Sequence, residues 1–264
     1  MTTARSFLIR GLLAGLVAGI LAFGVAYLVG ESSVDAAIAI EQSGTHDHGS
    51  SAAAPAADPD TQDTVVPRSL QSTAGLLTGT VVAGATLGGL VGVLSALALG
   101  RFGRAAVRTT TMTVAGIGFV SFYLLPFIAY PPNPPAVGHS DTIATRTALY
   151  FTMLAISLVA AITAVVVGRR LAATWGTWYA ALAVVAGYLV VTLLAVALLP
   201  SSNEVPADFP ATVLYQFRVA SFATQLTLWS VLGVTLAELL HRLSQRSGRL
   251  ADAQQRYAGS TTPG

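Results

Sequence analysis

Long apolar runs alternate with short polar gaps along this chain. Six runs stand out, at about 10–30, 73–99, 111–130, 147–167, 176–199 and 213–240. Each approaches the ~20 residues that a helix needs to cross a ~30 Å hydrocarbon core. The pattern predicts an all-α, polytopic membrane protein of about six transmembrane helices, forming a single membrane domain over 1–264. The first run starts after basic residues, as a secretory signal does, but its ~19 residues exceed a signal core and no clean A-x-A site follows it, so an uncleaved first helix is expected.

The gaps differ in sign. Arg5 and Arg10 precede the first run, Arg101, Arg104 and Arg108 fill the second gap, Arg169 and Arg170 the fourth, and Arg242, Arg246, Arg249 and Arg256 follow the last run. The first, third and fifth gaps hold Glu31, Asp35, Glu41, Asp47, Asp58, Asp60, Asp63, Asp141, Glu204 and Asp208, with Arg68 and Arg146 as edge cations. Basic residues gather on cytoplasmic loops, so both termini are predicted inside and the acidic gaps outside.

Within the runs, Gly11, Gly15 and Gly19 recur at intervals of four, as do Gly84, Gly88 and Gly92. Residues four apart share a helix face, so each set makes a smooth stripe for close helix packing, in a tight bundle or against a partner helix. The first outer gap, 31–72, is the longest polar segment. Its Ser- and Pro-rich stretch 43–66 lacks apolar period and is expected to be disordered. Before it, VDAAIAIEQ predicts a short surface helix over about 34–42, with Ser32 and Asp35 in a capping-box-like spacing. In the third run Pro126 is expected to kink or end the helix, and YPPNPPAVG to continue as a stiff extended segment with Tyr123 and Tyr130 at the interface. Pro210 suits the first position of the last span, with Asp208 near its cap. The tail 241–264 is expected to be cytoplasmic and disordered at its end.

Charged residues are 10% of the chain and hydrophobic ones 53%. That charged share lies far below the ~25% of soluble domains. The fourteen basic residues are all arginine and are spread over the loops, which does not make a nucleic-acid surface. With no cysteine, thiolate ligands, disulfides and Cys nucleophiles are excluded. Without lysine no Walker loop can exist, so the chain does not hydrolyse ATP through one. No zincin, hydrolase-elbow or intramembrane catalytic pair is visible, and no enzyme is expected.

What remains is cation chemistry on the outer side. His46, Asp47 and His48 combine imidazole and carboxylate, a set that suits a borderline divalent cation such as cobalt, nickel or zinc. His139 with Asp141 repeats it after the proline run. Glu31 with Asp35, and Glu204 with Asp208, stand four apart and would draw cations toward a pore mouth, although Asp35 and Asp208 serve equally well as helix caps. In the last span Arg218, Ser221, Gln225 and Trp229 follow steps of three or four; Arg218 is placed to neutralise Glu204 or Asp208, and Gln225 to line or brace a route. Asn133, Arg146 and Asn203 complete the outer polar set as pathway or structural residues. His241 beside Glu238 reads as a snorkelling interface residue.

The chain resembles the CbtA family, proposed cobalt transporter subunits. The resemblance rests on RGLLAGLVAG, GESSVDAAIAIE, HDHG, YPPNPPAVG, DTIATRTALYF and NEVPADFPATVLYQFRVASFATQLTLW, which appear in order between residue 10 and about 240. Relatives tend to have more histidines in the first outer loop than the two here. The family implies Co²⁺ uptake linked to cobalamin synthesis, a small single-span His-bearing CbtB-type partner, and a place in the bacterial inner membrane. Family descriptions often count five spans, whereas the arginine distribution favours six. The resulting expectation is Co²⁺, or Ni²⁺ or Zn²⁺ on the same ligands, admitted through the outer loops with no tightly bound cofactor. Two readings compete with it: a scaffold gripping a partner through its glycine stripes, and a membrane enzyme acting on a lipid or prenyl substrate.

Overall fold

The computed structural model describes residues 4–47, 67–101, 105–135, 137–138, 142–201 and 204–260, without the side chains of 42–47 and 250–260. Every regular element among them is a helix. In chain order these are α1 (Ala4–Val25), the π-helical turn π1 (Ala26–Gly30), α2 (Glu31–Asp47), α3 (Arg68–Leu70), π2 (Gln71–Gly75) and α4 (Leu76–Ala98). Then follow α5 (Val107–Gly118), π3 (Phe119–Leu124), α6 (Leu125–Ala129), α7 (Ile143–Leu198) and α8 (Ala211–Ser260). Helices meet all their backbone hydrogen bonds internally, which is the condition for an apolar segment to cross lipid.

Five helices are long and apolar enough to cross a membrane: Ala4–Glu41, Arg68–Ala98, Val107–Ala129, Ile143–Leu198 and Ala211–Arg249. The expected fourth and fifth spans both fall within α7. A straight helix of its 56 residues would be about 84 Å long at ~1.5 Å per residue. It is not straight. Gly176 sits at φ 77 and ψ 159, far outside helical values. Beyond it the chain turns back: Ser157 Oγ lies 2.8 Å from Tyr188 OH, and a Cβ on Gly168 would stand 3.3 Å from Val184 Cγ1. In a continuous helix residues 157 and 188 would be roughly 46 Å apart. The element is therefore a helical hairpin, with two legs joined at a glycine whose positive φ an L side chain rarely adopts. Five long helices thus provide six apolar legs.

Three boundaries differ from expectation. The first helix does not stop at Gly30, and no separate surface helix occupies 34–42. Instead α1 passes through π1 directly into α2, and Ser33, not Ser32, makes the local bond, donating its hydroxyl to the Gly30 carbonyl at 2.7 Å. The wider π turn absorbs the irregularity that the sequence presents as a stop. Residues 43–47, expected to be disordered, belong to α2, which runs to Asp47; the rest of the expected disordered stretch, 48–66, lies outside the described residues. The last helix does not end with its apolar run at 240 either, since α8 continues to Ser260; the end of the tail, 261–264, lies outside the described residues. At Pro126 the expectation holds: π3 precedes it, where a proline ring would clash with the preceding turn, and the helix ends three residues later.

The chain divides into two compact units. One contains Met1–Ala22, Thr80–Val120 and Leu226–Gly264, the other Phe23–Gly79 and Ser121–Gln225. Among the described side chains the first carries seven arginines and one acid, the second five arginines and five acids.

In the arginine-rich unit α1 packs antiparallel on α4 through the two glycine stripes. Gly11 faces Gly88 and Gly15 faces Gly84, backbone against backbone. A Cβ on Gly19 would meet the Thr80 carbonyl at 2.5 Å, and one on Gly92 the Phe7 carbonyl at 2.6 Å. Every pair sums to 99, the signature of one antiparallel register. The stripes are thus consumed inside the chain, which removes the basis of the scaffold reading that placed a partner on Gly84 and Gly88. Trp229 of α8 lies over Gly118 and meets Phe119 edge-on at 6.5 Å, so this member of the presumed polar stripe is a buried packing residue. Arg108 and Arg242 both bind Glu238.

In the acidic unit a small apolar cluster joins α2, the proline segment and the segment before α8. Ala37, Val137 and Phe209 are its buried centre, flanked by Ile40, Val205, Val213 and Leu214. The apolar face of α2 therefore packs against the proline segment and the segment before α8, instead of lying on a lipid surface.

Candidate functional site

The acidic unit holds Glu31, Asp35, Glu204 and Asp208, and the first three of these meet an arginine. α2 begins at Glu31, and one further turn places Asp35 on the same face. Arg68, at the start of α3, donates to both: its NH2 to Glu31 Oε2, and Nε to Asp35 Oδ1 at 3.1 Å. The fork thus ties together the two ends of the long polar segment, 37 residues apart in sequence. Glu31 is the more enclosed carboxylate, with 17% of its side chain exposed against 62% for Asp35. Neither is a helix cap, since both lie within continuous helix.

Glu204 makes the second pair. Its Oε2 accepts from Arg146 NH1 at 3.2 Å, and its side chain is 13% exposed. Arg146 reaches it from the first turn of α7 and lies flat against Gly138, where a Cβ would stand 2.5 Å from NH1. Gly138 has φ 116, so both backbone angle and space require glycine there. Asp208 stands exposed in the turn before α8, and the Pro210 carbonyl accepts from Val213 and Leu214 to start that helix.

Arg218 does not neutralise Glu204 or Asp208. Its Nε donates to the Pro132 carbonyl at 3.3 Å and its NH2 to Asn133 Oδ1 at 3.0 Å. Those carboxylates already have other settings, and the proline segment offers acceptors that no helix ladder uses. Tyr130 fixes the other edge of the same segment by donating its hydroxyl to the Pro200 carbonyl at 2.9 Å. The stiff PPNPP stretch is thereby held between α8 and the end of α7. Gln225 is half-buried two turns further along α8.

Among the described residues no three His, Asp or Glu side chains come together as a metal-holding group. His48, His139, Asp141 and Asn203 lie outside the described residues, as do the side chains of His46 and Asp47 at the end of α2. His241 is in α8, its Nε2 3.0 Å from Gln245 Nε2. The pairing of Arg68 with Glu31 and Asp35, and of Arg146 with Glu204, was missed by sequence reasoning, which treated both arginines as boundary charges. Their position as lone cations inside acidic gaps was the available signal.

A hydrophobic all-helical chain with polar chemistry gathered at helix ends defines a multi-pass membrane protein. Its membership is specific: residues 4–241 match the family described as "Probable cobalt transporter subunit (CbtA)", and the chain belongs to that family. The description is of a transporter component and not of an enzyme, and the word subunit implies a partner. No curated protein and no solved structure matches the chain.

Proposed function

We propose that this protein is the membrane subunit of a bacterial inner-membrane cobalt uptake system serving cobalamin synthesis, and that Co²⁺ reaches it through the acidic and His-bearing outer segments. The observation that carries the reading is that Glu31, Asp35, Glu41, Glu204 and Asp208 fall in one compact unit, where Arg68 and Arg146 hold Glu31, Asp35 and Glu204. The arginine-rich unit then faces the cytoplasm with both termini, as the positive-inside rule requires. His46, Asp47 and His48 collect the ion from solution, with His139 and Asp141 as a second outer donor pair. Glu31, Asp35, Glu204 and Asp208 attract and pass it on.

The chemistry is exchange of partners. A divalent cation takes carboxylate oxygens directly, so it competes with a guanidinium for the same atoms. Weak, successive sites of this kind favour passage over storage, because an ion that binds too tightly does not leave. Asn133 and Asn203 add neutral oxygens to the outer segments. Arg218 and Gln225 brace the route. The partner in this reading is a small single-span, His-bearing CbtB-type subunit, which would supplement the modest histidine count here.

The test is radioactive cobalt accumulation in a transporter-deficient bacterium, with and without the partner. Neutralising Glu204 together with Asp208 should lower uptake at unchanged membrane abundance. Unchanged uptake removes these carboxylates from the mechanism. Because nickel and zinc accept the same donors, labelled nickel and zinc are assayed beside cobalt, and accumulation of either in place of cobalt overturns the assignment of cobalt.

A further inference from the structure

The reversal of the α7 hairpin brings together two exposed arginines and three exposed aromatic rings, and we propose that it is a binding site for an anionic phospholipid headgroup. The inference does not depend on which ion the protein carries.

Between residues 142 and 203 the sequence contains no Asp, Glu or Lys, and its only strong cations are Arg146, Arg169 and Arg170. Arg146 is engaged with Glu204. Arg169 and Arg170 are exposed, seven and six residues before Gly176, which places them about 9–10 Å from the turn along the helix axis. The return leg from residue 177 to Leu198 is about 33 Å long, close to the ~30 Å hydrocarbon thickness, so the turn stands near one edge of the core. The outgoing leg from Ile143 to Arg169 is about 39 Å long, so both guanidinium stems originate at the edge of the apolar zone. Arginines at such depth are costly unless they reach the interface and find a counter-charge. The hairpin has no carboxylate to offer, and the bilayer supplies phosphate at that level. Guanidinium and phosphate oxygens match in a two-pronged geometry.

The rings complete the site. Trp175, Trp178 and Tyr179 are 56%, 71% and 66% exposed, around the turn itself. Amphipathic aromatics settle among headgroups and glycerol, which aligns the turn with the phosphate layer. The hairpin is also the least enclosed of the long helices, its apolar window 11% buried against 28–33% for the others. A lipid occupant fits better than a partner helix, because the two arginines demand an anion and an apolar helix brings none.

The experiment uses the full chain in nanodiscs containing equal phosphatidylglycerol and phosphatidylcholine, one or the other brominated. Replacing Trp229 by Phe leaves Trp175 and Trp178 as the fluorescent reporters. Brominated phosphatidylglycerol should quench them more strongly than brominated phosphatidylcholine, and R169Q/R170Q should abolish the difference while R169K/R170K retains part of it. Equal quenching by the two lipids in the arginine-intact protein overturns the proposal, with no need for the glutamine variant to fold. A preference that survives R169Q/R170Q overturns it as well.

Discussion

Arg146 binds Glu204 at 3.2 Å while lying against the backbone of Gly138, so one guanidinium joins the proline segment, the hairpin and the segment before α8. The Arg146–Glu204 bond is partly enclosed, and removing either partner leaves the other charge poorly solvated. Glu204→Ala and Arg146→Ala should each lower thermal stability, by about 1–3 kcal/mol. The swap R146E/E204R separates fold from function. It should recover part of the stability while uptake stays low, because the carboxylate then sits on α7. Recovery of uptake by the swap would show that only the pairing matters.

Gly138→Ala tests the same contact from the backbone side. An L residue at φ 116 costs about 1–3 kcal/mol, and the added methyl displaces the guanidinium. Melting followed by intrinsic fluorescence in detergent should show the loss. In an R146A background the clash disappears and the residual cost should be smaller.

The glycine seam brings the backbones of α1 and α4 into direct contact. Gly88→Leu or Gly84→Leu forces a side chain into a facing backbone, beyond the ~1–3 kcal/mol typical of overpacking a core that can yield. Loss of folded protein on size-exclusion chromatography is the expected result. Gly24→Leu and Gly79→Leu meet nothing within 4 Å and should behave like the parent. If all four variants behave alike, the seam is not a determinant of assembly.

The proposed topology, with every apolar leg crossing the bilayer, puts the Gly176 turn on the cytoplasmic side. The absence of native cysteine makes this directly measurable, since single cysteines introduced at Thr177, Ser201 and Ser247 can be probed with an impermeant maleimide. Thr177 and Ser247 should be protected in intact cells, and Ser201 labelled. Labelling of Thr177 would reverse the orientation and with it the outer position of the acids.

Arg218 holds the proline segment through two neutral acceptors in a fixed fork. Lysine cannot reproduce that geometry, so R218K should be nearly as defective in uptake as R218Q. Asn133→Ala removes one of the two bonds and should have the smaller effect. Equal activity of R218K and the parent would mean that charge alone suffices.

Periodicity and charge sign were enough to read the helical class, the six apolar legs and the division of arginines from acids, because those features follow from local hydropathy and spacing. The glycine stripes were legible as packing faces, since spacing of four is a property of one helix. Which helix they meet was not, because register depends on partners distant in sequence. The same limit applied to Arg68 and Arg146. Their positions in acidic gaps were plain, yet ion pairing over 37 and 58 residues is decided only when the backbone brings the ends together. Arg218 went astray for this reason: opposite charge nominated Glu204 or Asp208, and proximity awarded the bond to Pro132 and Asn133. Local chemistry dictates what each segment is able to do, whereas folding selects, among several suitable partners, the ones within hydrogen-bonding reach.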